Sequence, residues 1–149
     1  MERKLITAVL LLAVAISVTQ ALTISNTVTI PGVCGLTASL GSLGFGSVSP
    51  GTTSAENSTV ANNTGNTAAN LTIKGTTWTF DGDTMSVSQT KFATASGTYA
   101  SKTALSTGDQ TLVNNLNKST TATVFLQLAV PAGQNPGSYA QTVTITATC

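Results

Sequence analysis

Apolar side chains recur at every second position through much of the chain. Val124, Leu126, Leu128 and Val130 alternate with their neighbours, and Val143, Ile145, Ala147 and Cys149 alternate with Thr142, Thr144, Thr146 and Thr148. A period of two, rich in β-branched residues, marks strands with one buried face. Residues 131–138, with two prolines and two glycines, separate the two runs and predict an antiparallel hairpin.

The same alternation appears upstream. Leu22, Ile24, Val28 and Ile30 share one face of a first run, with Thr23, Ser25, Thr27 and Thr29 on the other, and Pro31-Gly32 cuts it off from a second strand at 33–40. A glycine-rich bend over 41–53 points Leu43, Phe45 and Val48 inward. A polar strand at 55–62 carries Val60 and precedes the turn Asn63-Thr64-Gly65-Asn66. Residues 69–75 bury Leu71 and Ile73, and residues 77–80 align Trp78 and Phe80. Asp81-Gly82-Asp83 predicts a tight hairpin turn, because Asp-Gly adopts positive φ readily, with residues 85–88 returning. Residues 94–115 are the least regular, with Leu105, Leu112, Val113 and Leu116 as apolar anchors. The sum is about seven to nine short strands with turn signals roughly every eight to twelve residues. It predicts an all-β, immunoglobulin-like two-sheet sandwich over residues 31–149.

The first residues follow another pattern. Met1-Glu2-Arg3-Lys4 precedes an apolar run of about 14 residues, short of the roughly 20 that span a bilayer. That is the layout of an export signal, and the small residues Thr19-Gln20-Ala21 place its cleavage after Ala21. Residues 1–21 are therefore expected as a signal helix apart from the fold. A retained anchor is the alternative if residues 19–22 lengthen the run.

Charge narrows the functions. The chain carries six Lys and Arg against five Asp and Glu, with no histidine. Beyond Ala21, Lys74, Lys91, Lys102 and Lys118 balance Glu56, Asp81, Asp83 and Asp109. No basic patch can be assembled to neutralise phosphates, so no nucleic-acid partner is expected. Nor is a membrane partner expected once the signal is removed. Without histidine there is no histidine-based triad. Cys34 and Cys149 are too few thiols for a tetrahedral metal site. No cofactor is implied.

In an exported chain those cysteines predict one disulfide, Cys34 to Cys149, with two buried free thiols as the alternative. Asn57, Asn62, Asn70 and Asn117 each open an Asn-X-Ser/Thr acceptor sequence and are glycosylation candidates. Asp81 and Asp83 supply too few oxygens for a specific Ca²⁺ site and read as the turn. Trp78, Tyr99 and Tyr139 are candidates for a sugar-binding face, although core packing accounts for Trp78. No local signature supports a Ser–Lys dyad, and the chain is not expected to be an enzyme.

The export signal, the segments Leu43-Gly44-Phe45-Gly46-Ser47-Val48-Ser49-Pro50-Gly51 and Asn63-Thr64-Gly65-Asn66 before Leu71-Thr72-Ile73, and the grammar of residues 126–145 together resemble small secreted β-sandwich proteins of archaeal cell surfaces. Among these are subunits of thread and bundling-pilus filaments that assemble by donor-strand exchange. The resemblance covers most of the mature chain and rests on strand-and-turn motifs. It implies an extracellular, glycosylated homopolymer in which Leu22, Ile24, Val28 and Ile30 form the donor strand. Two readings stay open: that segment pairs within its own sandwich, or it enters a neighbour's. The corresponding functions are a filament subunit or a monomeric surface or carbohydrate-binding domain.

Overall fold

The structure, a computed structural model, describes residues 25–149. The expected signal helix, with Leu22 and Ile24, lies outside the described residues. The chain divides into two compact units, Met1–Ile30 and Pro31–Cys149. In the first, residues 25–30 belong to no strand, and Val28 is 84% and Ile30 74% exposed.

The second unit is all-β. Its strands are β1 (Leu36–Ala38), β2 (Asn57–Asn63), β3 (Ala69–Gly75), β4 (Trp78–Phe80), β5 (Asp83–Met85), β6 (Thr90–Ala93), β7 (Thr103–Ala104), β8 (Gln110–Leu116), β9 (Thr121–Leu128) and β10 (Val143–Thr148). A five-stranded sheet in the order β1-β2-β9-β6-β7 faces a three-stranded sheet in the order β10-β3-β8, and β4 and β5 form a separate hairpin. All pairings are antiparallel. The sandwich expected from the alternation is present, built from ten strands, several only two or three residues long.

Its core lies between the two larger sheets. Ala61, Phe92, Val124 and Leu126 project from one, Leu71, Ile73, Leu112 and Leu116 from the other, and Leu105 fills the gap. Burying each large aliphatic side chain contributes about 1.5–3 kcal/mol. Polar β2 takes part through an unexpected register: Thr59, Ala61 and Asn63 face inward, whereas Val60 is only half-buried. Fully buried Asn63 donates from Nδ2 to the carbonyls of Thr67 and Leu116, both at 2.9 Å, and accepts from the Gly65 amide at 3.0 Å. Those bonds fasten the β2–β3 turn to the end of β8.

The expected hairpin of the last two strands does not form. Both edges of β9 are occupied, by β2 and β6, while β10 crosses to the opposite sheet and pairs with β3. Alternation did not reveal this because facing sheets turn their apolar sides toward the same core. The hairpin foreseen at Asp81-Gly82 does form: β4 pairs with β5 across φ values of 45° and 87°. Strand β8 falls in the stretch that looked irregular. Its register against β3 shifts on both sides of Leu71, and Asn115 has a φ of 54°. Two such irregularities erase the period of two.

Candidate functional site

The sandwich is open along one side. β1 ends the five-stranded sheet and β10 ends the three-stranded sheet, and no strand among the described residues joins them. Between them runs a groove of about 520 Å³, lined by Leu36, Leu43, Phe45, Ala61, Leu126, Val143 and Ile145 among others. A second cavity of about 570 Å³ continues past Leu43, Phe45 and Trp78 to Met85, Leu128, Val130 and residues 136–139. Both cavities share the wall made by Leu43, Phe45 and Trp78, whose two rings meet edge to face at 6.0 Å.

The three-stranded side of the groove is a half-covered edge. From Tyr139 to Ala147 every odd-numbered residue is partly buried and every even-numbered one exposed. The even-numbered residues direct main-chain bonds away from the groove. Ala140 exchanges both bonds with Thr79, and the carbonyl of Thr142 accepts from the Thr76 amide at 2.9 Å. Main-chain bonds alternate sides along a strand, so Tyr139, Gln141, Val143 and Ile145 present theirs to the open side. An edge of this kind is a template for another strand.

Polar side chains stand among the apolar ones in the groove, Thr37, Ser42, Thr59, Thr142 and Gln141. Gln141 Oε1 accepts from Thr90 Oγ1 at 2.8 Å, and its Nε2 donates to the carbonyl of Thr76 at 2.8 Å. The Trp78 indole donates to the same Thr90 hydroxyl at 2.9 Å. This chain fixes Trp78 across the junction of the two cavities. With Trp78 only 7% exposed, its ring offers no open platform for a sugar. Farther along, Phe80 lies 5.6 Å from Tyr139 and against Gly137, where a Cβ would collide with the Phe80 ring.

The two ends of the body differ. At one, Cys34 is bonded to Cys149 with their Cα atoms 5.8 Å apart. There the Val33 amide donates to Asn66 Oδ1 at 2.7 Å, Asn66 Nδ2 donates to the Pro31 carbonyl at 2.9 Å, and the Asn66 amide to the Val33 carbonyl at 3.1 Å. Gly65 is needed in that clamp, since a Cβ would strike the Val33 carbonyl. Pro31, the first residue of the body, is therefore held at the disulfide end. β10 runs toward that end, from Val143 opposite Gly75 to Thr148 opposite Asn70. The second cavity opens at the far end, by Leu128 and residues 136–139.

The remaining sequence candidates are distributed as follows. Asn117 is exposed in the turn between β8 and β9, and Asn70 is exposed on β3. Asn62 is half-buried, as is Asn57, whose Nδ2 donates to the Gly44 carbonyl at 2.7 Å. Asp83 accepts from Asn135 at 2.9 Å, and among the described residues no group of acids or cysteines could hold a metal ion. The Tyr99 hydroxyl donates to the Gln89 carbonyl at 3.0 Å, and burial raises its pKa.

Sequence reasoning did not single out Lys102 and Glu56. The Lys102 side chain is completely buried, paired with Glu56 and bonded to the Gly97 carbonyl. The Lys102 ammonium, the Ser96 hydroxyl and the Gly97 amide hold the Glu56 carboxyl at about 2, from 4.5. The pair ties the loop after β6 to the strand entering β2. The groove combines apolar side chains and the hydroxyls of Thr37, Ser42 and Thr59 with the main-chain groups of an edge that no described strand pairs. No family model, curated protein or solved structure matches this chain.

Proposed function

We propose that the protein is an exported structural subunit of an extracellular filament, assembled when residues 22–30 of one copy complete the open side of the next. The observation that carries this reading is the groove between β1 and β10. It combines an apolar floor with a strand edge that no described strand pairs, which are the two things an added strand requires. A matching occupant stands in the same chain: an apolar ladder whose described members, Val28 and Ile30, are exposed. The body holds Pro31 at the disulfide end while the groove extends to the far end. A contact from one end to the opposite end of the next copy repeats without closing, and so propagates a fibre. The disulfide accords with an oxidising compartment, and glycans on Asn117 and Asn70 would coat a surface poor in charge.

The test uses the mature chain, examined by electron microscopy and size analysis. The unmodified chain is expected to form threads, and the double variant Val28→Asp, Ile30→Asp to stay a soluble single molecule with unchanged circular dichroism. An unmodified chain that remains a single molecule at all concentrations would overturn the proposal.

A further inference from the structure

The groove also specifies how the added strand lies. The geometry points to residues 22–30 of a second copy running antiparallel to β10, with Leu22 opposite Ile145, Ile24 opposite Val143, Asn26 opposite Gln141, Val28 opposite Tyr139 and Ile30 opposite Gly137. This register rests on the strand-exchange reading above and adds direction and side-chain placement to it.

Direction follows from the two ends. Each body releases its extension at the disulfide end. Suppose the extension enters the next copy at the far end. Ile30, nearest its own body, then stays at that end and Leu22 reaches inward. Its chain then runs opposite to β10, which travels from the far end to the disulfide end. Entry at the disulfide end would instead give parallel pairing, which is less stable per residue, and would bring two like ends together.

Register follows from the lining. Along the β10 side, the cavities are walled by Ile145, Val143 and Gln141 in the first and by Tyr139 and Gly137 in the second. That succession is apolar, apolar, polar, then aromatic, with the Phe80 ring against Gly137 at its last place. The inward positions of the extension read Leu22, Ile24, Asn26, Val28, Ile30, with one polar residue in the middle. Aligning Asn26 with Gln141 brings two amides together, where Gln141 retains one unused N–H and one lone pair. It delivers Leu22 and Ile24 to the first cavity and Val28 and Ile30 to the second. A two-residue slip places Asn26 against Val143 or Tyr139 and forfeits the pairing with the Gln141 amide. The nine residues reach roughly 30 Å when extended, enough to pass through both cavities.

Paired cysteine substitutions in the mature chain read the register directly. Ile24→Cys with Val143→Cys is expected to give an intermolecular ladder on a non-reducing gel, and Ile24→Cys with Ile145→Cys is not. Val28→Cys with Tyr139→Cys repeats the test at the second cavity, should the first pair fail to fold. A ladder from Ile24→Cys with Ile145→Cys alone overturns the register and leaves strand exchange standing. Threads in which none of the three pairs links also overturn the register. Links formed only within single molecules, or an unmodified chain that forms no threads, remove the strand-exchange reading beneath the register.

Discussion

Replacing Cys34 and Cys149 by serine should destabilise this fold more than almost any other pair of surface changes. The bond joins residues 115 apart in sequence. A cross-link closing a loop of that size lowers the entropy of the unfolded chain by about 16 cal/mol/K, or about 5 kcal/mol at 25 °C. This is an upper figure, since residual structure in the unfolded chain reduces it. The local architecture adds to the effect. Among the described strands β10 pairs along one edge, with β3, and the disulfide fastens Cys149, just past its end, beside the Asn66 clamp. The assay is equilibrium unfolding in urea, followed by Trp78 fluorescence, for the oxidised chain, the reduced chain and the double serine variant. With a slope of about 1–3 kcal/mol per molar urea, the midpoint should fall by roughly 2–5 M. The slope itself should rise, because the open unfolded chain exposes more surface. Reduced and double-variant proteins should agree. A midpoint within about 0.3 M of the oxidised protein, at unchanged slope, would refute the loop-entropy reasoning.

The Glu56 pair predicts acid sensitivity. A carboxyl whose folded pKa lies at about 2, below its ordinary 4.5, stabilises the fold fully above pH 4.5, and this contribution is lost as pH falls toward 2. Urea midpoints measured between pH 7 and pH 3 should therefore decline less for Glu56→Gln than for the unmodified chain. Ile73 is fully buried between the sheets, so Ile73→Ala should lower stability by about 2–5 kcal/mol in the same assay. If Asn117 carries a glycan in the native host, intact mass should fall by one glycan in Asn117→Gln, whereas Asn57→Gln should leave it unchanged because its amide is occupied by Gly44.

Much of the candidate site was legible as pieces. Val143, Ile145, Leu43, Phe45 and Trp78 all stand at alternating positions, and each turns toward the interior. Their assembly into a groove was not legible. An alternating strand looks the same whether its inner face is fully covered or half-covered. Nor does the sequence show which edges lack a partner, since pairing is a relation between distant segments. Gln141 illustrates the point: it stands in phase with Val143, but only the proximity of Thr76 and Thr90 makes it a fixed polar marker in the groove.

By itself the sequence determined what short-range physics controls. The period of two marked the strands outside residues 90–116, Asp81-Gly82 the β4–β5 turn, and the paucity of other cysteines the bond between Cys34 and Cys149. Only the tertiary structure decided that β9 and β10 part to opposite sheets, that Lys102 is buried against Glu56, and that no described strand joins β1 to β10. Side-chain pattern fixes which face of a strand leaves water, whereas the competition among strands for hydrogen-bonding edges is settled by the whole chain at once.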